Sequence, residues 1–220
     1  MTTTHKTLRG PSGAILMVTK KGIQKDPELP AKIDKAVFPG LQGGPHDNQT
    51  AAIAVALHEA ENPEFKKYAK QIVANSKALA KELLRLGFSL TTGSSENHLL
   101  VVDLSNKGIN GALAAYALEQ AGIITNKNTV PYDRMPPFYP SGIRIGTPAA
   151  TTRGMREKDM IVLAHWMNDV IEEIKGNALP DVKEERSPFF KEFRKKVDEN
   201  KRIEQIALEV KKAMHNFPMP

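Results

Sequence analysis

The chain has 220 residues, 40% of them hydrophobic, and 31 basic against 25 acidic side chains give a formal charge of +6; that composition fits one large core or two small ones and excludes a disordered chain. With no cysteine there is no disulfide, thiolate metal site or cysteine nucleophile. No apolar run reaches about eighteen residues and no charged-then-apolar leader opens the chain, so a cytoplasmic protein without membrane spans is expected.

The stretch TTTHKTLRGP (2–11) comes first, and its branched threonines Thr2 to Thr4 predict the end of a strand. AILMVTKK (14–21), an apolar run closed by Gly22, predicts a buried strand. FPGLQGGPHDNQ (38–49) is dense in glycine and proline, and an Ala-rich helix follows from near Gln49 to about Glu61, where Pro63 interrupts it. A second helix carries Phe65, Tyr68, Ile72, Leu79, Leu83 and Leu86 near helical spacing, is stopped by Gly87, and is long enough to link two domains.

Beyond Gly87, FSLTTGSSENHLLVVDL (88–104) predicts strand, polar turn and strand, and NGALAAYALEQAG (110–122) a helix with a glycine stop. GIITN (122–126) and IRIGTPA (143–149) predict strands on either side of the loop VPYDRMPPFYPSG. EKDMIVLAHWMNDVIEEI (157–174) and two later segments are helical, with Pro180 and Pro188 as joints. The fold class is therefore α/β, with domains over 1–87 and 88–220. Lysine and glutamate alternate in residues 62–87 and 181–214, the pattern of solvated amphipathic helices, which points away from nucleic acid as a partner.

Three places carry chemistry. Lys6, between His5 and Thr7, sits where a strand hands over to a loop; it is either a reactive amine or a solvated lysine. Gly43 and Gly44 let backbone amides approach an anion, or simply make a turn. Arg144, on a short strand bracketed by glycines, presents a flat fork to a ligand carboxylate or to a neighbouring acid. Together, an imine-forming lysine, a phosphate cradle and a carboxylate-binding arginine are the parts of a pyridoxal-phosphate enzyme acting on an amino acid. No metal site is read.

TTTHKTLRGP, VFPGLQGGPH, NKNTVP and SGIRIGTPA with TTRGM resemble, in order and spacing, serine hydroxymethyltransferase along nearly the whole chain. The resemblance implies the end of an aminotransferase-like (fold type I) large domain followed by a small α/β C-terminal domain. It makes Lys6 the residue that carries pyridoxal phosphate, with His5 and Thr3 lining the cofactor pocket. Gly43 and Gly44 would bind the cofactor phosphate in the neighbouring subunit's site, which implies a homodimer. Phe38 and Asn128 would face the folate, Arg144 would grip the substrate carboxylate, and Arg153 is the second choice for that role.

The implied reaction moves the hydroxymethyl carbon of serine to tetrahydrofolate and leaves glycine. Ser12, Asn48 and Pro140 depart from the family pattern. The resemblance covers the C-terminal half of the family, so the separate chain is expected to be inactive and to need an N-terminal half. Two other readings stand beside it. One is a non-catalytic assembly module that pairs with such a half; the other is a different fold type I enzyme, which has no use for Phe38 and Asn128.

Overall fold

The computed structural model describes residues 1–219 and divides into two units, Met1–Lys67 and Tyr68–Pro220. In the first, β1 (Thr2–Thr3) pairs antiparallel with β2 (Ala14–Ile15). The strand expected over 14–21 stops at Ile15, because β1 offers only two residues of ladder. Leu16 and Met17 are consequently exposed, at 47% and 66%. Thr19 then starts a helix by accepting a hydrogen bond from the Gly22 amide, so Lys20 and Lys21 belong to α1 (Lys20–Lys25). Helix α2 (Leu29–Lys35) runs into a wider turn at Ala36–Leu41 that contains Pro39. Helix α3 (Asp47–Glu61) and helix α4 (Pro63–Arg85) are separated at Asn62, and Pro63 opens α4 where its missing N–H has no helical partner to lose.

In the second unit α4 buries Ile72, Leu79, Ala80 and Leu83, and Gly87, at φ +79°, takes the left-handed turn that stops the chain's helical course. The strands β3 (Ser89–Leu90), β4 (Leu99–Asp103), β5 (Asn126–Asn128) and β6 (Gly142–Gly146) form one antiparallel sheet in the order β3-β4-β6-β5. Leu100 and Val102 pair with Ile145 and Ile143, and all four are buried. Against them pack α5 (Gly111–Gln120) and α7 (Glu157–Glu173), through Leu113, Leu118, Met160 and Met167. Short α6 (Pro148–Thr152), α8 (Arg186–Asp198) and α9 (Lys201–Met214) complete the unit, and Phe193, Ile203 and Ile206 join the same core.

Two boundaries differ from expectation. The strand placed at GIITN begins only at Asn126, because Gly122 and Ile123 are drawn into the end of α5: their amides donate to Glu119 O (2.9 Å) and Leu118 O (2.8 Å). Pro188 is no joint; it lies in the first turn of α8, where an absent N–H leaves no bond unmade. The break comes instead at Glu199–Asn200, where the Asn200 side chain accepts hydrogen bonds from the amides of Arg202 and Ile203 and starts α9. Among the described residues no helix is long and apolar enough to cross a membrane.

Candidate active site

Lys6 lies in a loop that closes on one buried residue. Thr4 is 1% exposed; its amide donates to Gly13 O (3.0 Å), its carbonyl accepts from the Gly10 amide (2.8 Å), and its hydroxyl donates to Pro11 O (2.7 Å). His5 to Arg9 therefore bulge outward from a fixed base, with Arg9 at φ 60° and its amide on Lys6 O. A side chain at Gly10 would come within 3.1 Å of Ala56 on α3, so the loop seats closely there. His5 and Lys6 are exposed, and no described residue binds the Lys6 ammonium. Thr3 is half-buried and pairs with Ala14.

Gly43 and Gly44 belong to the same unit. They line a cavity of about 500 Å³ with Ser12, Gly13, His46 and Gln49. Neither glycine has a positive φ, and a Cβ added at either would meet nothing within 4 Å. Neither backbone strain nor internal packing requires glycine here, and two in succession leave the backbone open to close approach by an outside group. Helix α3 opens beside them without a side-chain cap; the amides of Gln49 and Thr50 turn back to His46 O (2.9 and 3.1 Å), which leaves those of Asp47 and Asn48 at the positive end of the helix. The Gln49 side-chain oxygen in the wall is buried without a partner; turned end for end, the amide presents its NH₂ group instead. The cavity fits a phosphate. Phe38, 62% exposed, stands elsewhere in the unit, on the rim of an open apolar groove of about 750 Å³ with Leu16, Ile23 and Val37.

Arg144 and Asn128 fall in the second unit, on the sheet. Ile143 and Ile145 turn into the core, so Arg144 between them must turn out. It pairs with Val101 on one side and Asn126 on the other. Among the described residues its side chain makes one hydrogen bond, to Asn126 Oδ1 at 3.4 Å, and no carboxylate is paired with it. Half-buried Asn128 shares the strand with Asn126, and its amide NH₂ donates to Thr129 O (2.7 Å). Arg153 is engaged: its guanidinium donates to Met214 O (3.4 Å), at the last residue of α9, and to Phe217 O (2.6 Å) just beyond it.

Asp133 organises the loop between β5 and β6, a role that its sequence position did not announce. Its carboxylate accepts from the Ser141 hydroxyl (2.7 Å) and from the amides of Ser141 (2.9 Å), Met135 (2.9 Å) and Val130 (3.2 Å). Burial pushes this carboxyl up, but the four hydrogen bonds, led by the Ser141 hydroxyl, outweigh it and hold it below the ordinary value. Asp133 thereby fixes both ends of the loop, next to Asn128 and Arg144. The only signal available was an aspartate in a proline-rich loop closed by Ser-Gly. Asp103, by contrast, ends β4 by accepting the Ser105 amide (2.9 Å).

Among known proteins, the serine hydroxymethyltransferase family matches residues 1–167. A curated relative of that name from Acidothermus cellulolyticus is 49% identical over 222 residues, covering 100% of this chain and 46% of its own. One from Desulfotalea psychrophila is 52% identical across 81% of this chain and 40% of its own. The mitochondrial one of Candida glabrata is 43% identical across 100% and 47%. The chain thus spans a little under half the length of these relatives.

Proposed function

This chain belongs to the serine hydroxymethyltransferase family, and we propose that it supplies the lysine, the phosphate cradle and the carboxylate-binding arginine of a pyridoxal-phosphate-dependent transfer of the hydroxymethyl carbon of serine to tetrahydrofolate. In this reading residues 1–87 are the end of a fold type I large domain with its linking helix, and residues 88–220 are the small domain. The observation that carries it is Arg144, a guanidinium turned out of a buried strand and left without a carboxylate. A ligand carboxylate takes the place of the missing acid in a bidentate pair.

Pyridoxal phosphate, when bound, supplies an electron sink for negative charge at the substrate α-carbon. Lys6 would be the amine that tethers it, and Thr3 and His5 would line its pocket. The amides of Gly43 and Gly44 hold its phosphate. By resemblance to the family, they serve the site of a neighbouring subunit in a homodimer. Arg144 orients the amino acid so that the bond to be broken is fixed in direction, with Arg153 the second choice. Phe38 and Asn128 face the folate.

The experiment mixes the chain with polypeptide equivalent to the remaining length of a relative, adds pyridoxal phosphate, reduces with borohydride and maps the adduct by peptide mass spectrometry. A single adduct on Lys6 is expected; label scattered over surface lysines would sink the assignment. The alternative reading, a non-catalytic assembly module, is favoured by the exposed apolar residues of the first unit, Leu16, Met17, Phe38 and Leu41 among them. Mixing the chain with the remaining part of a relative separates the two, since restored serine turnover requires the catalytic reading.

A further inference from the structure

A second cavity, of about 440 Å³, lies in the second unit between α5, β5 and α8, within the size range of small-molecule sites. It is separate from the Arg144 face. Asn126 pairs with Arg144 and Lys127 with buried Ile143, so Lys127, which lines this cavity, projects to the opposite side of the sheet. We propose that this cavity binds a flat organic anion, a ring bearing one phosphate or carboxylate, with Arg194 as the anchor of the charged group. The proposal does not rest on the hydroxymethyltransferase reading.

Charge comes first. The lining holds three cations, Lys127, Lys191 and Arg194, against one carboxylate, Glu119. The Lys127 ammonium is committed to Phe138, donating to its carbonyl (2.7 Å) and standing 4.1 Å from its ring centre. Lys191 and Arg194 have no carboxylate partner among the described residues. Both are exposed on α8, and an unpaired pair of cations one residue type apart in chemistry gives the cavity mouth a positive potential.

Arg194 is moreover pre-set. Its guanidinium carbon lies 4.9 Å from the Tyr116 ring centre and 4.8 Å from that of Phe190. Stacking on two rings restricts the plane of the fork while leaving its N–H edge free for a two-oxygen partner. The rings themselves form an edge-to-face pair 6.2 Å apart and both line the cavity, giving it an aromatic wall against which a flat ligand ring can lie. Tyr116 stays neutral, since burial and the hydrogen bond it donates to Asp198 push its phenol up to about 12, so it adds no negative charge.

Thr125 adds an independent observation. It lines the cavity, and its Oγ1 is buried with no hydrogen-bond partner. An unpaired buried hydroxyl is unfavourable and is relieved by a ligand oxygen placed beside it. Phosphate and carboxylate both offer such an oxygen and both fit the arginine fork, so the two head groups share one chemistry here.

The test titrates the chain at low salt with phenyl phosphate, benzoate, benzyl alcohol and inorganic phosphate, following amide chemical shifts and heats of binding. Phenyl phosphate or benzoate should saturate with shifts centred on Tyr116, Thr125 and Arg194, and the tighter of the two identifies the head group. Benzyl alcohol, without the charge, and inorganic phosphate, without the ring, should each bind at least about tenfold more weakly. Arg194→Ala should lower affinity about tenfold or more, and Thr125→Val should lower it by a smaller factor. Lys195→Ala, a charge loss on the neighbouring residue of the same helix, should leave it unchanged. The proposal fails if neither aromatic anion saturates, if inorganic phosphate binds as well as phenyl phosphate, or if Lys195→Ala loses as much as Arg194→Ala.

Discussion

Arg144 and Asp133 sit about one loop apart and separate two kinds of residue effect. The Arg144 side chain is exposed and makes one long hydrogen bond, so Arg144→Ala should change unfolding free energy by no more than about 0.5 kcal/mol. In an assembled, active enzyme the same change should lower kcat/KM for serine about 10- to 100-fold, the worth of one bidentate carboxylate pair. Arg144→Lys should restore little, because an ammonium cannot reproduce the fork. An equal loss of stability and activity on Arg144→Ala would make Arg144 structural. Asp133 is the reverse case. Its folded-state value lies below the ordinary one, so its ionised form stabilises the fold fully above the unfolded value, near pH 4, and that contribution disappears as pH falls through the folded value. Asp133→Asn should therefore lower Tm at pH 7, and the gap between variant and parent should narrow as pH drops below about 4. A gap constant down to pH 3 would show that the loop does not depend on the charge.

At the scale of elements, one buried amide helps to tie α4 to α6. Asn75 is fully buried; its NH₂ group donates to Thr151 Oγ1 (2.8 Å) and Met155 O (2.9 Å), and its oxygen accepts from Gln71 (2.9 Å). Asn75→Ala should cost about 2–4 kcal/mol in denaturant unfolding, by orphaning a carbonyl and opening a cavity. Within the sheet, a side chain at Gly142 would sit 2.6 Å from Val102 O, so Gly142→Ala should destabilise by about 1–3 kcal/mol. Elements such as α4, α5 and α7 were legible in the sequence because periodic apolar residues and a glycine or capping residue mark them locally. The strand at 14–21 was not, since its length depends on how much partner strand lies beside it, which no local pattern states. The start of β5 was missed because Gly122 and Ile123 satisfy helix carbonyls before any strand can begin. The types of the site residues were legible at Lys6, Gly43, Gly44 and Arg144; the loop's anchor, Asp133, was not, because its four donors are brought to it only by the turn it makes.

The two units differ in what holds them together. Every buried hydrophobic residue except Ala56 lies in Tyr68–Pro220, while Leu16, Met17, Phe38, Leu41, Val55 and Leu57 of the first unit are exposed. Ordering a residue costs about 1–2 kcal/mol of backbone entropy, and a unit with one small buried alanine recovers little of that by removing apolar area from water. The first unit should therefore be the less stable part of this chain taken separately. In hydrogen exchange, amides of α1, α2 and α3 should exchange orders of magnitude faster than those of β4, β6, α5 and α7. Adding polypeptide equivalent to the remaining length of the Acidothermus cellulolyticus relative should slow exchange in the first unit and leave the second nearly unchanged. Serine turnover should appear only in that mixture, since Lys6 and the Gly43–Gly44 cradle both depend on the unit that the added chain stabilises. Protection of α3 equal to that of α5 in the separate chain would show that the first unit stands by itself, and the expected dependence of activity on added chain would lose its physical basis.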